Sequence, residues 1–263
     1  MTRATPARGA TWPYPRLIAH RGAGKIAPEN TLTAMRVGHA HGYRMFEFDV
    51  KLSADGVAFL LHDATLDRTT SGHGRADAFT WRALSRLDAG LWHSLGYAGE
   101  PMPTLGAIAR WAIAHEVMCN IEIKPTPGRE RETGAAVALD AQALWRAAAV
   151  PPLLSSFSED ALASAREAVP ELPRALLLDD VPADWRDRLQ RLECAALDTQ
   201  HEALDAELVA AAHAEGCRVL CYTPNDVDRV QVLAEWGVDG IITDAVDHIR
   251  ADTLPPPSRW DSA

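Results

Sequence analysis

The segment Met45-Phe46-Glu47-Phe48-Asp49-Val50-Lys51 decides the fold, because it predicts a buried β-strand. Successive side chains of a strand point to opposite faces, so Glu47 and Asp49 share one face, about 6.6 Å apart along the strand. Phe46, Phe48 and Val50 share the other face, which is expected to pack against helices. An apolar face opposite a carboxylate-bearing face fits the wall of a barrel whose interior contains a polar site.

Seven further short apolar runs alternate with helix-like segments along the chain. The runs are Leu17–His20, Val117–Lys124, Leu153–Phe157, Ala175–Leu178, Ala195–Asp198, Arg218–Tyr222 and Gly240–Thr243. The helix-like segments include Thr133–Ala149, Glu159–Val169, Asp205–Glu215 and Val227–Trp236, with Ser158 and Asp226 as N-caps. Eight strands alternating with helices predict an α/β fold, a (β/α)8 TIM barrel. A doubly wound open sheet is the alternative, but no GxGxxG or P-loop follows a strand.

One apolar run, Val57–Leu61, follows the second strand too closely for a crossover helix. The intervening Ser53-Ala54-Asp55-Gly56 has turn chemistry and predicts a hairpin, which would return His62 to the level of Asp49. Residues 64–103 are too many for a simple loop and predict a small inserted cap segment after the second strand. We therefore expect an N-terminal tail over 1–15, a single barrel domain over 16–250 and a C-terminal tail over 251–263.

Composition and charge exclude several classes of protein. The 263 residues are 47% hydrophobic and 24% charged, which is typical of a globular domain. A formal charge of -10 disfavours binding to nucleic acid or to an anionic membrane surface, so a small anionic ligand would need local cations. No apolar run approaches a membrane span, and residues 1–15 lack a signal-peptide core, which predicts a cytoplasmic protein without a membrane anchor. The four cysteines lack CxxC spacing and are expected to be buried free thiols.

A second acid-bearing strand is predicted at Cys119-Asn120-Ile121-Glu122-Ile123-Lys124. Glu122 is expected to lie near Glu47 and Asp49 at the C-terminal ends of the barrel strands. Three carboxylates this close would repel one another unless a cation lay between them. Oxygen-only ligation favours Mg²⁺, Ca²⁺ or Mn²⁺ over zinc. The alternative is a set of structural salt bridges to the nearby basic residues Arg21, Lys51 and Lys124.

Two histidines follow strand signals at the same end of the predicted barrel. His20 ends the first strand and precedes Gly22-Ala23-Gly24, whose glycines allow a sharp turn and close approach to a ligand. His62 ends the hairpin. Two imidazoles flanking a phosphorus centre can act as general acid and base near neutral pH. Arg21 and Lys124 offer donors to phosphoryl oxygens. For either histidine alone, the alternative is a satisfied polar residue without a catalytic role. The other eight are assigned that alternative, with His73 in Gly72-His73-Gly74 as an exception, because a flexible cap loop can carry substrate contacts.

Several motifs, in order along the chain, resemble those of one known family. They include His20-Arg21-Gly22, Pro28-Glu29-Asn30-Thr31, Glu47-Phe48-Asp49-Val50, His62-Asp63, Glu122-Ile123-Lys124-Pro125 and Gly237-Val238-Asp239-Gly240-Ile241-Ile242-Thr243-Asp244. From about Leu17 to Ile249 the chain resembles the glycerophosphodiester phosphodiesterases, in particular the short bacterial cytosolic enzymes. The resemblance implies a TIM barrel with a small insertion and one divalent cation, usually Mg²⁺ or Ca²⁺. It also implies metal-dependent hydrolysis of glycerophosphodiesters to sn-glycerol 3-phosphate and an alcohol.

The resemblance assigns a role to the residues of each motif. His20 and His62 match the general acid/base pair of the family. The metal ligands match Glu47, Asp49 and Glu122. The phosphate contacts match Arg21 and Lys124. Glu29 matches a residue that holds these side chains in place without contacting the substrate. The alternative is that Glu29 only forms part of a helix N-terminal turn, with Asn30 or Thr31 as the cap.

Two aromatic residues are assigned to the substrate pocket on weaker grounds. Phe157 lies where family members place an apolar substrate contact. Tyr222 stands in Tyr222-Thr223-Pro224-Asn225, where the family often has Trp-Thr-Val-Asn, so its phenol adds a hydrogen-bond donor. The alternative is that either aromatic belongs to the core.

Three rival functions fit parts of the sequence. A lipid-directed phospholipase of the same barrel type would need an exposed apolar rim or a basic patch. A non-catalytic binding relative should lack one of the carboxylates or histidines, and all five are present. A sugar isomerase using Lys124 as base leaves the paired histidines unexplained. The expected partners are small-molecule glycerophosphodiesters, and a homodimer stays an open alternative.

Overall fold

A computed structural model of the protein describes residues 12–250 and 254. These residues form strands β1 to β9 and α-helices α1 to α8. The strands are β1 (Leu17–Ala19), β2 (Met45–Leu52), β3 (Ala58–Leu60), β4 (Met118–Ile123), β5 (Leu153–Ser156), β6 (Arg174–Leu178), β7 (Ala196–Gln200), β8 (Arg218–Tyr222) and β9 (Gly240–Thr243). The helices are α1 (Leu32–Ala40), α2 (Trp81–Leu84), α3 (Leu105–Ala114), α4 (Glu130–Leu144), α5 (Glu159–Ala168), α6 (Trp185–Leu192), α7 (Ala206–Ala214) and α8 (Val227–Glu235).

Eight of these strands close into a parallel barrel. The order is β1-β9-β8-β7-β6-β5-β4-β2, and β2 pairs back with β1 through Ala19 and Phe46 to close the ring. Helices follow most of the strands and lie outside the ring. The predicted (β/α)8 TIM barrel is confirmed, and eight of the ten predicted site residues lie on its strands or within two residues after them, the exceptions being Glu29 and His62.

The two faces of the barrel strands have different surroundings. Phe46, Phe48 and Val50 pack outward into the large apolar cluster between barrel and helices, as predicted. The interior cluster consists of Tyr14, Ile18, Met45, Leu153, Ala175, Ala196, Leu220 and Ile242. Four of these residues, Met45, Leu153, Ala175 and Ala196, lie in the N-terminal halves of their strands. The C-terminal halves are therefore left to polar side chains, which is where the site forms.

The predicted hairpin is confirmed by the pairing of β3 with β2. The two strands are antiparallel, with Val50 opposite Leu60. The turn between them is closed by the Gly56 N–H, which donates to the Ser53 carbonyl at 3.1 Å. Gly56 has a φ of 79°, a left-handed conformation that glycine adopts without strain. The hairpin and the following insertion share a small apolar cluster, which we call the insertion cluster: Phe59, Leu61, Leu66, Ala76, Leu84, Ala89 and Met102.

Helix boundaries follow the capping chemistry. Ser158 and Asp226 are the N-caps of α5 and α8, as predicted, and each accepts a backbone N–H three residues on. The predicted helical segment Thr133–Ala149 corresponds to α4, but the helix begins three residues earlier and ends five residues earlier, at Glu130–Leu144. Acidic side chains in its first turn favour the earlier start through the helix dipole.

The predicted tails lie largely outside the described residues, so the domain bounds stay predictions. Of the N-terminal residues that are described, Tyr14 is buried and donates from its phenol to the Pro151 carbonyl at 2.9 Å. All four cysteines are buried and free of disulfides, as predicted. Among the helices of the described chain, none has the length and apolar character needed to cross a membrane.

Candidate active site

Three carboxylates on β2 and β4 form the centre of the site. Glu47 and Asp49 lie on β2, and Glu122 lies on β4 in register with Asp49. One oxygen of each carboxylate lies within 4.8 Å of the others, and all three residues are buried. The structure therefore brings together the three residues predicted as metal ligands, and we call them the carboxylate cage. The arrangement follows from alternation along β2, which puts Glu47 and Asp49 on one face, and from the pairing of Asp49 with Glu122 on the neighbouring strand.

Burial and charge shift the pKa values of the cage in different directions. Burial, with the negative charges of Asp49 and Glu122, raises the pKa of Glu47 well above its usual value. Burial and the charge of Asp49 raise the pKa of Glu122 to about 7. Burial also opposes ionisation of Asp49, but the positive charges of Arg21 and Lys124 hold its pKa below the usual range. The cage therefore cannot carry three full negative charges at neutral pH without further positive charge.

The donor atoms of the cage fit a hard divalent cation. Glu47 Oε1 and Asp49 Oδ1 are buried and accept no hydrogen bond from the described residues, although Lys124 Nζ lies 3.5 Å from Asp49 Oδ1. Leaving buried carboxylate oxygens without donors is costly. Carboxylate-only donor sets suit Mg²⁺, Ca²⁺ and Mn²⁺. The residues present are therefore suited to hold such an ion.

Two cationic side chains lie beside the cage. Arg21 Nε lies 3.4 Å from Asp49 Oδ2, and Lys124 Nζ lies 2.6 Å from Glu122 Oε1. Burial disfavours both charges, but the surrounding carboxylates outweigh it and raise the pKa of each cation. Lys51 instead donates to the Lys124 carbonyl at 3.1 Å, and burial lowers its pKa to about 8. Salt bridges thus neutralise only part of the negative charge of the cage. Arg21 and Lys124 lie where an anionic ligand bound beside the cage would meet them.

Asn30 is a site residue that the sequence indicated only as a helix cap. Its Nδ2 donates to Asp49 Oδ2 at 2.8 Å, and its Oδ1 accepts the Asp49 N–H at 3.0 Å. The cap of α1 is Thr31, whose hydroxyl accepts the Ala34 N–H. Asn30 has a φ of 58°, a left-handed conformation that asparagine tolerates better than most residues. The available signal was its position beside Glu29 in the quoted motif.

His20 is held in place by a carboxylate from the other end of the chain. Its Nδ1 lies 2.6 Å from Asp244 Oδ1, and its Nε2 lies 3.7 Å from Glu47 Oε2. Because a carboxylate accepts, Nδ1 carries the proton and Nε2 is directed toward the cage. Burial opposes the Asp244 charge, but the hydrogen bond from His20 keeps the pKa of Asp244 below its usual value. A separation of 224 residues explains why the sequence did not indicate this pair.

The loop after β1 fits tightly against Asp244. A Cβ atom at Gly24, where φ is 56°, would lie 1.9 Å from the Asp244 carbonyl oxygen, so only glycine fits. Arg21 is also left-handed, with a φ of 50°, and its N–H donates to Glu47 Oε2 at 3.0 Å. The turn expected after the first strand is present, and it fixes His20 against the cage.

His62 follows β3 and has a carboxylate partner of its own. Its Nδ1 lies 2.8 Å from Asp63 Oδ1. Burial is the main cause that lowers the pKa of His62, which favours the neutral imidazole at neutral pH. His20 and His62 both line the same cavity, each with a carboxylate on its Nδ1 side.

Arg68, from the insertion, connects the His62 partner to the loop after β1. Its guanidinium donates to both oxygens of Asp63, at 2.7 and 3.0 Å, and to both oxygens of Glu29, at 2.8 Å each. Glu29 also accepts from Arg21 Nη1 at 2.9 Å. Glu29 therefore lies between two cations of the site, a position that fits the supporting role expected for it. The sequence did not indicate Arg68 or Asp63 as part of this arrangement.

Removing Arg68 is expected to destabilise the protein in a pH-dependent way. Its hydrogen bonds hold the pKa of Asp63 well below the usual range, and they lower the pKa of Glu29 against the effect of burial. Lowered carboxyl pKa values stabilise the fold above the unfolded pKa of about 4, and this contribution is lost as the pH falls toward the folded pKa. Arg68→Met should therefore lower the free energy of unfolding by on the order of 1 kcal/mol at pH 7, and by less at pH 3.

Urea unfolding at the two pH values measures this effect. Arg75→Met is the matched control, because Arg75 pairs with Asp77 in the same insertion and its side chain is more exposed, at 60% against 44% for Arg68. The control should change stability little at either pH. Equal destabilisation by Arg68→Met at pH 7 and pH 3 would contradict the assignment.

Two aromatic rings form one wall of the site. Phe157 and Tyr222 meet edge to face, with ring centroids 5.9 Å apart, and Lys124 Nζ lies 5.3 Å from the Phe157 centroid. Phe157 is 41% exposed, so it is not a core residue. The Tyr222 hydroxyl lies 3.1 Å from both the Leu178 carbonyl and Asp179 Oδ1. The extra donor of this tyrosine is therefore directed to the protein.

A cavity of about 290 Å³ connects these groups. The predicted residues that line it are His20, Arg21, Glu47, His62, Glu122, Lys124, Phe157 and Tyr222. Asp49 and Glu29 are outside this lining and contact it through Arg21. The structure thus brings all ten predicted site residues to one end of the barrel.

Fold and site together define a class of protein. A closed (β/α)8 barrel whose cavity combines an acidic cluster with two histidines and two cations fits the class of TIM-barrel phosphodiesterases. The model of the glycerophosphoryl diester phosphodiesterase family matches residues 20–248, and the chain belongs to that family. Its activity is that of a glycerophosphodiester phosphodiesterase, a phosphoric diester hydrolase.

Individual relatives agree with this assignment. A glycerophosphodiester phosphodiesterase of Caldanaerobacter subterraneus is 32% identical over 233 residues, which cover 87% of this chain and 93% of the relative. The structure of an Oleispira antarctica phosphodiesterase in complex with the product sn-glycerol-3-phosphate matches with a TM-score of 0.85 and 34% identity, over 90% of this chain and 96% of that one. A glycerophosphodiester phosphodiesterase of Agrobacterium tumefaciens matches with a TM-score of 0.75 and 26% identity, over 89% and 97%. The family expected from the sequence motifs is confirmed.

Proposed function

We propose that the protein hydrolyses glycerophosphodiesters to sn-glycerol 3-phosphate and an alcohol, with one divalent cation and with His20 and His62 as general acid and base. The observation that carries the proposal is the carboxylate cage at the cavity that both histidines line, with Glu47 and Glu122 in its wall. The Oleispira relative, which holds sn-glycerol-3-phosphate, supports the identity of the product.

The carboxylate cage would hold the cation, with Mg²⁺ or Ca²⁺ as the first candidates and Mn²⁺ as a further one. A bound divalent cation supplies positive charge that stabilises phosphoryl oxygens and acidifies a nearby hydroxyl. The chain fixes the ligands in advance. Asn30 holds Asp49 through two hydrogen bonds, and the Arg21 N–H holds Glu47. Such preorganisation avoids reorientation of the carboxylates during the reaction.

Arg21 and Lys124 bind the phosphate group in this proposal. Both line the cavity, and both keep their positive charge there. Burial lowers the pKa of each cation, but the surrounding carboxylates raise it by more. The rings of Phe157 and Tyr222 line the same cavity beside Lys124 and would contact the carbon skeleton of the substrate.

The two histidines exchange protons with the substrate through their Nε2 atoms. Asp244 binds Nδ1 of His20, and Asp63 binds Nδ1 of His62, which leaves the opposite ring nitrogen of each available. One histidine removes a proton from the oxygen nucleophile, and the other protonates the leaving alkoxide. Water supplies the oxygen that the net hydrolysis adds to phosphorus, either by direct attack or by opening a cyclic phosphate formed by the glycerol 2-hydroxyl. The paired carboxylates set the tautomer and orientation of both rings.

Release of glycerol 3-phosphate from several glycerophosphodiesters tests the proposal. Glycerophosphocholine, glycerophosphoethanolamine and glycerophosphoinositol are each assayed with Mg²⁺, with Ca²⁺ and with a chelator. Release should require one of the cations and fall to background with the chelator. Undiminished release in chelator would contradict the role of the cage, and absence of release from every diester would contradict the proposed reaction.

One observation keeps a lipid-directed phospholipase as a second candidate. Leu91, Trp92 and Leu95 of the insertion are exposed by 48%, 39% and 86%. The segment lies against the loop that follows His20, because His93 Nε2 is 3.0 Å from the Lys25 carbonyl. An exposed apolar rim near a cavity is what access to a lipid surface would need. Turnover on glycerophosphocholine compared with phosphatidylcholine vesicles separates the two candidates.

A further inference from the structure

Three polar side chains in the barrel interior have no part in the proposed reaction. They are Asn120 on β4, Ser155 on β5 and Asp198 on β7, and we call them the polar floor. All three residues are fully buried and line the same cavity as the histidines. Both amide atoms of Asn120, the Ser155 hydroxyl and both carboxyl oxygens of Asp198 make no hydrogen bond to any residue in the described part of the chain.

The polar floor adjoins the interior apolar cluster. Asn120 pairs in register with Leu153, and Asp198 pairs with Leu220, and both leucines belong to that cluster. The floor therefore lies at the inner end of the cavity, where the barrel interior changes from apolar to polar. Phe157, at the same cavity, is 41% exposed and marks its open side.

Leaving these groups unpaired is energetically unfavourable. More than nine in ten buried polar groups in proteins have a hydrogen-bond partner, and an unpaired one costs on the order of 1–3 kcal/mol. Closing the barrel does not require polarity here, since Leu177 pairs with Asp198 in register and lines the same cavity. The polar side chains are therefore better explained by a ligand than by packing.

The chemistry of the floor indicates the kind of ligand group. Asn120 offers two donors and an acceptor, and Ser155 offers a donor and acceptors. Asp198 offers two acceptor oxygens, and burial raises the pKa of its carboxyl group well above the usual value, which favours the protonated form that also donates. A hydroxyl group donates and accepts as well and matches this set. A phosphate does not match, because the cations of the site are Arg21 and Lys124.

The position of the floor indicates which part of the substrate reaches it. The head-group alcohol varies in size among glycerophosphodiesters, so it must extend to the open side of the cavity. The glycerol moiety is the same in all of them and can occupy a closed end of fixed shape. Its terminal hydroxyl is the one farthest from the phosphate.

We propose that Asn120, Ser155 and Asp198 bind the terminal hydroxyl of the substrate's glycerol moiety and thereby select glycerol diesters over diesters of other alcohols. This assignment rests on the proposed function. Asp198 is the central residue, because β7 contributes no residue to the carboxylate cage, the histidine pair or the phosphate contacts.

A pair of ligands isolates this contact. Glycerol 3-phosphate and 2-hydroxypropyl phosphate differ only in the terminal hydroxyl. Calorimetric titration with each ligand, in the presence of Mg²⁺, compares wild-type protein with Asp198→Asn, Asp198→Leu and the control Leu177→Met. Wild-type protein should bind glycerol 3-phosphate more tightly. Asp198→Leu should lose about tenfold in affinity for glycerol 3-phosphate and leave binding of 2-hydroxypropyl phosphate unchanged.

The other variants complete the test. Asp198→Asn keeps a donor and an acceptor and should retain most of the preference, whereas Leu177→Met should leave the preference intact. If Asp198→Leu fails to fold, Ser155→Ala carries the same comparison with a smaller expected loss, about threefold. Equal changes for both ligands, or no change for either, would overturn the proposal.

Failure of this proposal can be told from failure of the proposed function. Glycerol 3-phosphate release from glycerophosphocholine by the wild-type protein is measured alongside the titrations. Release together with an unchanged ligand preference in Asp198→Leu refutes the floor assignment alone. Absence of release refutes the proposed reaction, while the titrations still decide whether the floor binds the terminal hydroxyl.

Discussion

Replacing His20 or His62 with alanine is expected to lower kcat for glycerol 3-phosphate release about a thousandfold. Each ring lines the cavity, and its Nδ1 is held by Asp244 or Asp63, so each variant loses a positioned proton donor or acceptor. Neither ring belongs to an apolar cluster of the described residues. The thermal unfolding midpoint should therefore change little, and kcat with circular dichroism melts measures both effects.

The two alanine variants are expected to differ with the leaving group. A 4-nitrophenyl ester of glycerol phosphate releases a stabilised phenolate that needs no protonation, so the variant lacking the acid should recover much of its rate on that substrate. The variant lacking the base should not recover. His73→Ala is the matched control, because His73 is 84% exposed beside Asp67 and should leave kcat unchanged. Near-normal turnover in either alanine variant on the natural diester would contradict the role of that histidine.

Replacing Glu47 with glutamine is expected to abolish turnover and yet to stabilise the metal-free protein. Burial and the charges of Asp49 and Glu122 already disfavour the Glu47 carboxylate, so removing its charge relieves repulsion. We expect a gain of about 1 kcal/mol, or roughly 2–4 °C in Tm. Added Mg²⁺ or Ca²⁺ should raise the Tm of the wild-type protein by binding the folded state, and should raise that of Glu47→Gln much less.

Asp239→Asn is the control for this prediction, because Asp239 is a buried carboxylate with partners. It accepts from Arg218 at 2.9 Å and from the Val219 N–H at 2.9 Å, so its loss should destabilise the protein and leave the response to metal intact. Destabilisation of the metal-free protein by Glu47→Gln, with an unchanged response to metal, would show that the cage is a structural cluster.

The pH dependence of the metal-free protein follows from the same cage. Burial and the charge of Asp49 raise the pKa of Glu122 to about 7, above the unfolded value of about 4.3. Between these values the folded state binds more protons than the unfolded state, so stability should increase as the pH falls from 8 to 5. Melting curves in chelator check the sign. A Tm that is constant over this range would contradict the raised pKa.

The barrel and the cage could be predicted from sequence because their causes are local. Alternation along β2 places Glu47 and Asp49 on one face whatever the rest of the chain does. The hairpin was predictable for the same reason, since Ser53 and Gly56 determine the turn within four residues. Glu122 required one further step, namely that neighbouring parallel strands end together.

The contacts that orient the site could not be predicted in this way. Asp244 meets His20 only because β9 pairs with β1 when the barrel closes. Asn30 meets Asp49 across 19 residues of sequence, from a left-handed position in the loop before α1. Asp198 lies in an ordinary apolar run, and only the closed barrel shows that its carboxyl group lines the cavity.

The two histidines lie on different parts of the fold, His20 after a barrel strand and His62 after the hairpin, and this affects how the protein loses activity. His20 is attached to the barrel wall, whereas His62 and Arg68 belong to the hairpin and insertion, whose separate apolar cluster has seven buried residues. A small cluster opens at a lower free energy than a large one, so the insertion can open locally while the barrel stays folded. Inactivation on mild heating would then be reversible and would precede the unfolding of the helices around the barrel. The highest temperature at which the enzyme is active would then be set by the stability of the insertion. The temperature at which the whole chain unfolds would be set by the barrel.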